Sequence, residues 1–171
     1  MLRKILLIVL VVITILWTAF IFSNSLDNAE QSTEKSSTVT EIVNTVASAV
    51  GVEEEIPHST VRDMAHFTEF AILAFLICAD LTLAFTPLLP RRPLLYVLCP
   101  VCALILGFVL ACIDELLQKS SDGRAAQFSD VGLDTLGALT GTAFFCICYL
   151  FVLLIKRKRK KIGSTVDTEL I

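Results

Sequence analysis

The stretch that decides the fold is MAHFTEFAILAFLICADLTLAF, residues 64–85. It is apolar over a length that matches the roughly 20 helical residues needed to cross a bilayer core. Yet His66, Glu69 and Asp80 sit inside it. Ionisable groups at membrane depth are costly and point to a site or a buried partner. Three more stretches share its length and character, near residues 5–22, 94–117 and 131–155. Each reads as helix, because an open strand would leave its backbone unsatisfied in lipid. The expected fold is therefore all-α: a polytopic membrane protein with four transmembrane helices.

Composition agrees. The 171 residues are 55% hydrophobic and only 18% charged, with mean hydropathy +0.76 and net charge -3. A soluble domain carries about 25% charged residues. The apolar content excludes disorder. An acidic balance with one strong basic run, at the end of the chain, speaks against a nucleic-acid partner. The expected partner is the lipid bilayer.

Lysine and arginine positions set the direction of the spans. Arg3, Lys4, Arg91, Arg92 and the run Lys156-Arg157-Lys158-Arg159-Lys160-Lys161 fall on one alternating side. Lys35, Arg62, Lys119 and Arg124 fall on the other. Both termini and the turn at 87–93 are expected to be cytoplasmic, and the loops at 23–63 and 118–130 to face outward. The first stretch follows Arg3-Lys4 as a signal peptide would, but its apolar core of about 18 residues exceeds the usual 7–15. It reads as a retained anchor. In the first outer loop the Ser/Thr-rich half reads as irregular. Thr38-Val39-Thr40-Glu41 then has a capping-box pattern, and Val39, Ile42, Val43, Val46, Ala47 and Val50 follow at helical spacing up to Gly51. A short amphipathic helix is expected there, lying on the outer leaflet or against the bundle. Glu53-Glu54-Glu55 reads as a solvated acidic turn.

The six cysteines, Cys78, Cys99, Cys102, Cys112, Cys146 and Cys148, all lie in the apolar stretches. An exported disulfide framework would place them in the outer loops. Cys99 and Cys102 have CxxC spacing but lack a strand-to-helix context. Small apolar filler is the expected role.

The polar residues inside the spans converge. Arg62, His66 and Glu69 stand at i, i+4 and i+7 on one helix face. Asp114 and Gln118 share a face of the third span, with Glu115 beside them. Gly123-Arg124 follows in the loop, and Asp130 and Asp134 enter with the fourth span. Ser23 and Ser25 end the first span at the same level. Under the expected topology all of these lie at the outer leaflet, with Glu69 and Asp134 about 6–10 Å deep. Asp80 is the exception and is expected to reach inner water. A buried ion-pair network explains part of the cluster. The charge does not close, however: Arg62 and Arg124 face Glu69, Asp114, Glu115, Asp130 and Asp134. Protonated carboxylates, water, a metal or a cationic ligand must offset the difference. Gly137-Ala138-Leu139-Thr140-Gly141 is a GxxxG pattern on the aspartate face. It lets another helix approach closely, within the bundle or in a homodimer through Gly137 and Gly141.

The order and spacing of these elements resemble the VanZ-like bacterial membrane proteins, named after the teicoplanin-resistance accessory protein VanZ. The resemblance runs from about Phe22 to Gly141. It rests on Phe22-Ser23-Asn24-Ser25, on Arg62 with His66-Phe67-Thr68-Glu69-Phe70, on Asp114-Glu115 with Gln118, and on Gly123-Arg124, Asp130, Asp134, Gly137 and Gly141. Three positions depart from the family's common pattern: Asp63 stands where Lys is frequent after the arginine, Asn24-Ser25-Leu26 lacks the frequent Gln, and Asp134 replaces a frequent Asn. Asp63 adds negative charge beside Arg62 and weakens a claim to phosphate binding. The resemblance implies a multi-pass plasma-membrane protein of a Gram-positive bacterium, with residues 1–155 as one VanZ-like domain and 156–171 as a basic cytoplasmic tail. It implies a link to lowered susceptibility to teicoplanin-type lipoglycopeptides and leaves the biochemical activity unassigned.

The leading functional reading is a non-enzymatic cell-envelope protein. A lipid-linked cell-wall component or a lipoglycopeptide would bind in a pocket of Arg62, His66, Glu69, Asp114, Glu115, Gln118, Arg124, Asp130 and Asp134. The alternative is a membrane-embedded hydrolase or transferase acting on a lipid head group. His66, Glu69 and Asp114 are then the catalytic candidates, with His66 or Glu69 as general base and the acidic cluster holding a metal. A transporter fits less well, because no polar path continues through the inner half. No metal site and no cofactor are assigned, since metal sites usually show more than one histidine or a tighter acidic motif. No serine-hydrolase elbow, phosphate loop or dinucleotide fingerprint is present.

Overall fold

The computed structural model of the chain describes residues 1–51, 54–121 and 128–169. They form five helices: α1 (Leu2–Ser25), α2 (Ala29–Ala49), α3 (His58–Phe85), α4 (Leu95–Ser120) and α5 (Phe128–Glu169). Four of them are long and apolar enough to cross a membrane: α1, α3, α4 and the Ser129–Arg159 part of α5. The 24 residues of α1 span about 36 Å at 1.5 Å per residue, which covers a hydrocarbon core of about 30 Å. The outer surface fits such a solvent. Ile15, Leu16, Leu116, Ile147 and Phe151 are each more than 60% exposed, on three different spans that are otherwise apolar on their outer faces.

The helices outrun their apolar cores. α3 begins at His58, ahead of the apolar stretch, because backbone hydrogen bonding continues through polar side chains. α5 continues through the basic run to Glu169. The larger difference is α2. The Ser/Thr-rich segment expected to be irregular is helical from Ala29 onward. Asn28 supplies the capping box: its Oδ1 accepts from the Gln31 N–H at 2.8 Å, and Gln31 Oε1 accepts from the Asn28 N–H at 3.3 Å. The hydroxyls of Ser36, Thr38 and Thr40 donate to carbonyls one turn earlier. They therefore fold onto the helix instead of competing with it. Thr38, expected as the cap, is mid-helix. The expected stop does hold: Gly51 follows α2 with φ +89°, the left-handed conformation in which glycine ends helices. Asn44 then clamps Ile56, donating to its carbonyl at 3.2 Å and accepting from its N–H at 2.8 Å.

α3 is the central helix and packs most extensively on α5, then on α4 and α1. Phe70, Leu73, Ala74 and Cys78 are fully buried on it. Phe75 meets Phe145 edge-on at 5.3 Å, and Phe145 stacks on Tyr149 at 5.8 Å. All six cysteines are free thiols; Cys78 and Cys99 are buried, and Cys102 is exposed on the helix face.

Two glycines set the α3–α5 contact. A Cβ at Gly137 would stand 2.2 Å from the Phe67 carbonyl oxygen, and one at Gly141 would stand 1.9 Å from that of Ala71. The same four-residue step on both helices means that they run parallel. The glycine face is thus covered by α3 of the same chain, and the close approach that the GxxxG pattern permits is used inside the protomer. Gly107 of α4 adds a third tight point, against Ala138.

The backbone of α3 cannot yield as a flexible side chain would. Gly141→Ala is therefore expected to lower stability by about 1–3 kcal/mol, the range for overpacking. Gly132→Ala, where a Cβ would meet nothing within 4 Å, is expected to be neutral or slightly stabilising. Thermal unfolding of the two variants in one detergent checks this; equal melting temperatures would contradict the contact.

Candidate functional site

The parallel packing carries the polar faces of α3 and α5 into register. Arg62 Nη2 donates to Asp130 Oδ2 at 3.2 Å. One turn deeper, His66 Nδ1 lies 3.8 Å from Asp134 Oδ1. This is too far for a hydrogen bond but close enough for charge to matter. One further turn on come the glycine contacts. The small residues that let the helices touch are thus the reason that the two acids of α5 face the two bases of α3.

α4 supplies the deepest acid. Asp114 is 0% exposed. Its Oδ1 accepts a hydrogen bond from Ser25 Oγ at the end of α1, and its Oδ2 accepts from Gln118 Nε2 at 2.7 Å. Asp134 is 1% exposed, and its Oδ1 has no hydrogen-bond partner among the described residues. One ligand-type atom each from His66, Asp114 and Asp134 lies within 4.8 Å of the others. Helices α3, α4 and α5 therefore meet in a single cluster of one imidazole and two buried carboxylates. Glu115 is also buried, beside Asp114.

Glu69 lies on the α1 side. Asn24 Nδ2 approaches its Oε1 at 3.5 Å, and Trp17 Nε1 donates to its backbone carbonyl at 3.0 Å. Neither α1 residue is marked as a site residue by its spacing in the sequence. Asn24 stood in the serine motif, but nothing in the sequence specifies its partner. Of the two serines of that motif, Ser25 is buried in the cluster while Ser23 faces outward. Asp63 is exposed as well and turns away from the site. Arg124, Gly123 and Glu53 lie outside the described residues.

Asp80 is half-buried and has a partner on α1: Thr14 Oγ1 donates to its Oδ2 at 2.7 Å, while its Oδ1 is buried. A hydroxyl of α1 stands at the same depth on the facing helix, so a carboxylate there is held between helices.

A groove of about 410 Å³ opens beside the cluster between α1, α2 and α3. Phe20, Val39, Val61 and Ala65 are its apolar lining; Lys35, Arg62, His66, Asp27 and Glu69 are its ionisable lining. Lys35 is held by Asp27 at 2.6 Å yet stays mostly exposed. Arg62 Nε is buried and has no hydrogen-bond partner among the described residues. A larger depression of about 570 Å³ lies between α2 and the start of α3, around Glu41, Asn44, Glu54 and His58, and shares no residue with the cluster.

A protein-family model described as VanZ/LLP1 matches residues 10–152, which takes in the four spans' shared core and every residue of the cluster. No curated protein and no solved structure matches the chain.

Hydrogen bonds to charged groups contribute about 1.5–3 kcal/mol, so Ser25→Ala is expected to cost that much, because it strips a partner from a fully buried carboxylate. Ser23→Ala is expected to change little. Chemical or thermal unfolding of the detergent-solubilised variants checks the contrast, and equal stabilities would remove Ser25 from the site.

Proposed function

The chain belongs to the VanZ/LLP1 family, and from that premise we propose that it is a non-enzymatic envelope protein of the bacterial plasma membrane. Its groove between α1, α2 and α3 takes the anionic head group of a lipid-linked cell-wall component, and this lowers susceptibility to teicoplanin-type lipoglycopeptides. The observation that carries the reading is the amphiphilic lining of the groove. Phe20, Val39, Val61 and Ala65 line it together with the cations Lys35 and Arg62, and a head group attached to a hydrocarbon chain calls for both kinds of contact. Arg62 suits an anion because its guanidinium has five N–H donors in a planar fork, of which Asp130 takes one through Nη2.

Helix α2 forms one wall of this groove. Its Val39, Ile42, Val46 and Val50 are each about half exposed or more, which suits an apolar stripe resting in the outer leaflet. The head group would then enter from the membrane plane, between α2 and the bundle. Both termini are cytoplasmic in this reading, following the lysine and arginine bias.

Native mass spectrometry with a polyprenyl phosphate and the matching neutral polyprenol tests the proposal. The phosphate is expected to bind more tightly, and the double variant Lys35→Gln/Arg62→Gln is expected to lose at least about ten-fold, since 1.4 kcal/mol is a factor of ten. Equal binding of phosphate and alcohol, or an unchanged double variant, would overturn it. In a susceptible Gram-positive host the wild-type chain should raise the inhibitory concentration of teicoplanin and the double variant should not.

A further inference from the structure

We propose that His66, Asp114 and Asp134 form a site for one divalent transition-metal cation, of which zinc and manganese fit best. This goes beyond the head-group reading and does not depend on it.

The geometry is close to what an ion requires. Ligand atoms about 2.0–2.2 Å from a metal stand about 3–4 Å apart. The three ligand-type atoms here lie within 4.8 Å of one another, so a closure of about 1 Å, within reach of side-chain torsions, would complete the set. The three come from three helices, whose register is fixed by the tight contacts of Gly137 and Gly141 on α3 and of Gly107 on Ala138.

Electrostatics point the same way. Asp114 and Asp134 are 0% and 1% exposed. Among the described residues, no lysine or arginine comes within 4 Å of either. Among the described residues, Arg62 is engaged by Asp130. The buried Asp134 Oδ1 is directed into the cluster and has no hydrogen-bond partner among the described residues. Two ionised carboxylates at this burial are costly without compensating charge, and a divalent ion between them supplies it.

The surroundings resemble a metal's outer shell. Asp114 accepts from Ser25 and from Gln118. A carboxylate has about four lone-pair sites, so one bond to each oxygen orients Asp114 and still leaves a lone pair on each oxygen to ligate. Such supporting bonds commonly hold metal ligands in place. One imidazole with two carboxylates favours zinc or manganese over calcium and magnesium, which prefer all-oxygen shells. Three protein ligands leave a coordination position open. His66 also lines the groove, so that position lies near the groove.

The test uses full-length protein without a polyhistidine tag, stripped with EDTA in detergent and titrated with ZnCl2 or MnCl2. Uptake is counted by inductively coupled plasma mass spectrometry after desalting. One ion per chain is expected, with a rise in melting temperature. His66→Gln and Asp134→Asn should each weaken binding by more than about 100-fold, beyond the 10–100-fold typical of losing an outer-shell partner. Asp130→Asn, whose carboxylate serves Arg62, should keep the ion. No stoichiometric uptake by the wild type, or wild-type affinity in both ligand variants, would overturn the site. Should those variants fail to fold, the wild-type protein still decides. The chain has two histidines, and pulsed electron paramagnetic resonance of the Mn2+ form should show one imidazole nitrogen coupling that persists in His58→Gln. Absence of the coupling, or its loss in that variant, would refute the assignment.

Discussion

The contact of α5 with the bare backbone of α3 is the constraint from which the rest follows. Gly137 lies on Phe67 and Gly141 on Ala71, and no side chain larger than hydrogen fits at either point. Because both helices step by four residues, the same register recurs toward their N-terminal ends. There it sets Asp134 opposite His66 and Asp130 opposite Arg62. In lipid, helices gain nothing from hiding apolar surface from each other, so close packing and polar bonds must hold the bundle. This chain places both on one seam, with packing deeper and polar pairing above it.

The distribution of polar groups is correspondingly lopsided. Asp114, Glu115, Gln118 and Asp134 are buried near one end of the bundle. Toward the other end the core is Phe145, Tyr149 and apolar neighbours, with the Thr14–Asp80 bond joining α1 to α3 there. A buried carboxylate without a partner is far costlier than a paired one. Ser25 and Gln118 meet that demand for Asp114 by hydrogen bonding. Asp134 receives only the more distant imidazole among the described residues. The buried charge of the site is therefore concentrated where three helices and the groove meet.

Much of this was legible in the chain as written. The four spans follow from apolar runs of the right length. The i, i+4 spacings of Arg62 with His66, Asp114 with Gln118, and Asp130 with Asp134 place each pair on one face. Gly51 announced the end of α2. Other features were not legible. Thr14 and Asp80 are 66 residues apart, and each alone reads as an ordinary polar residue near lipid. The helicity of residues 29–38 was hidden because serine and threonine read as turn formers until their hydroxyls are seen to bond one turn back. Ser23 and Ser25 look equivalent in sequence, and only the rotation of α1 separates the buried one from the exposed one.

By itself the sequence determined what is local or additive: the helical character of the spans, the faces on which polar residues gather, the charge imbalance of the cluster, and the family resemblance. These depend on the periodicity of one helix at a time and on transfer energies summed along it. The tertiary structure alone decided the partnerships, namely Arg62 with Asp130, His66 with Asp134, Ser25 with Asp114, and Asp80 with Thr14. Partnership depends on the rotation and axial offset of separate helices. Those are fixed where glycine meets backbone, and no single helix's periodicity contains them.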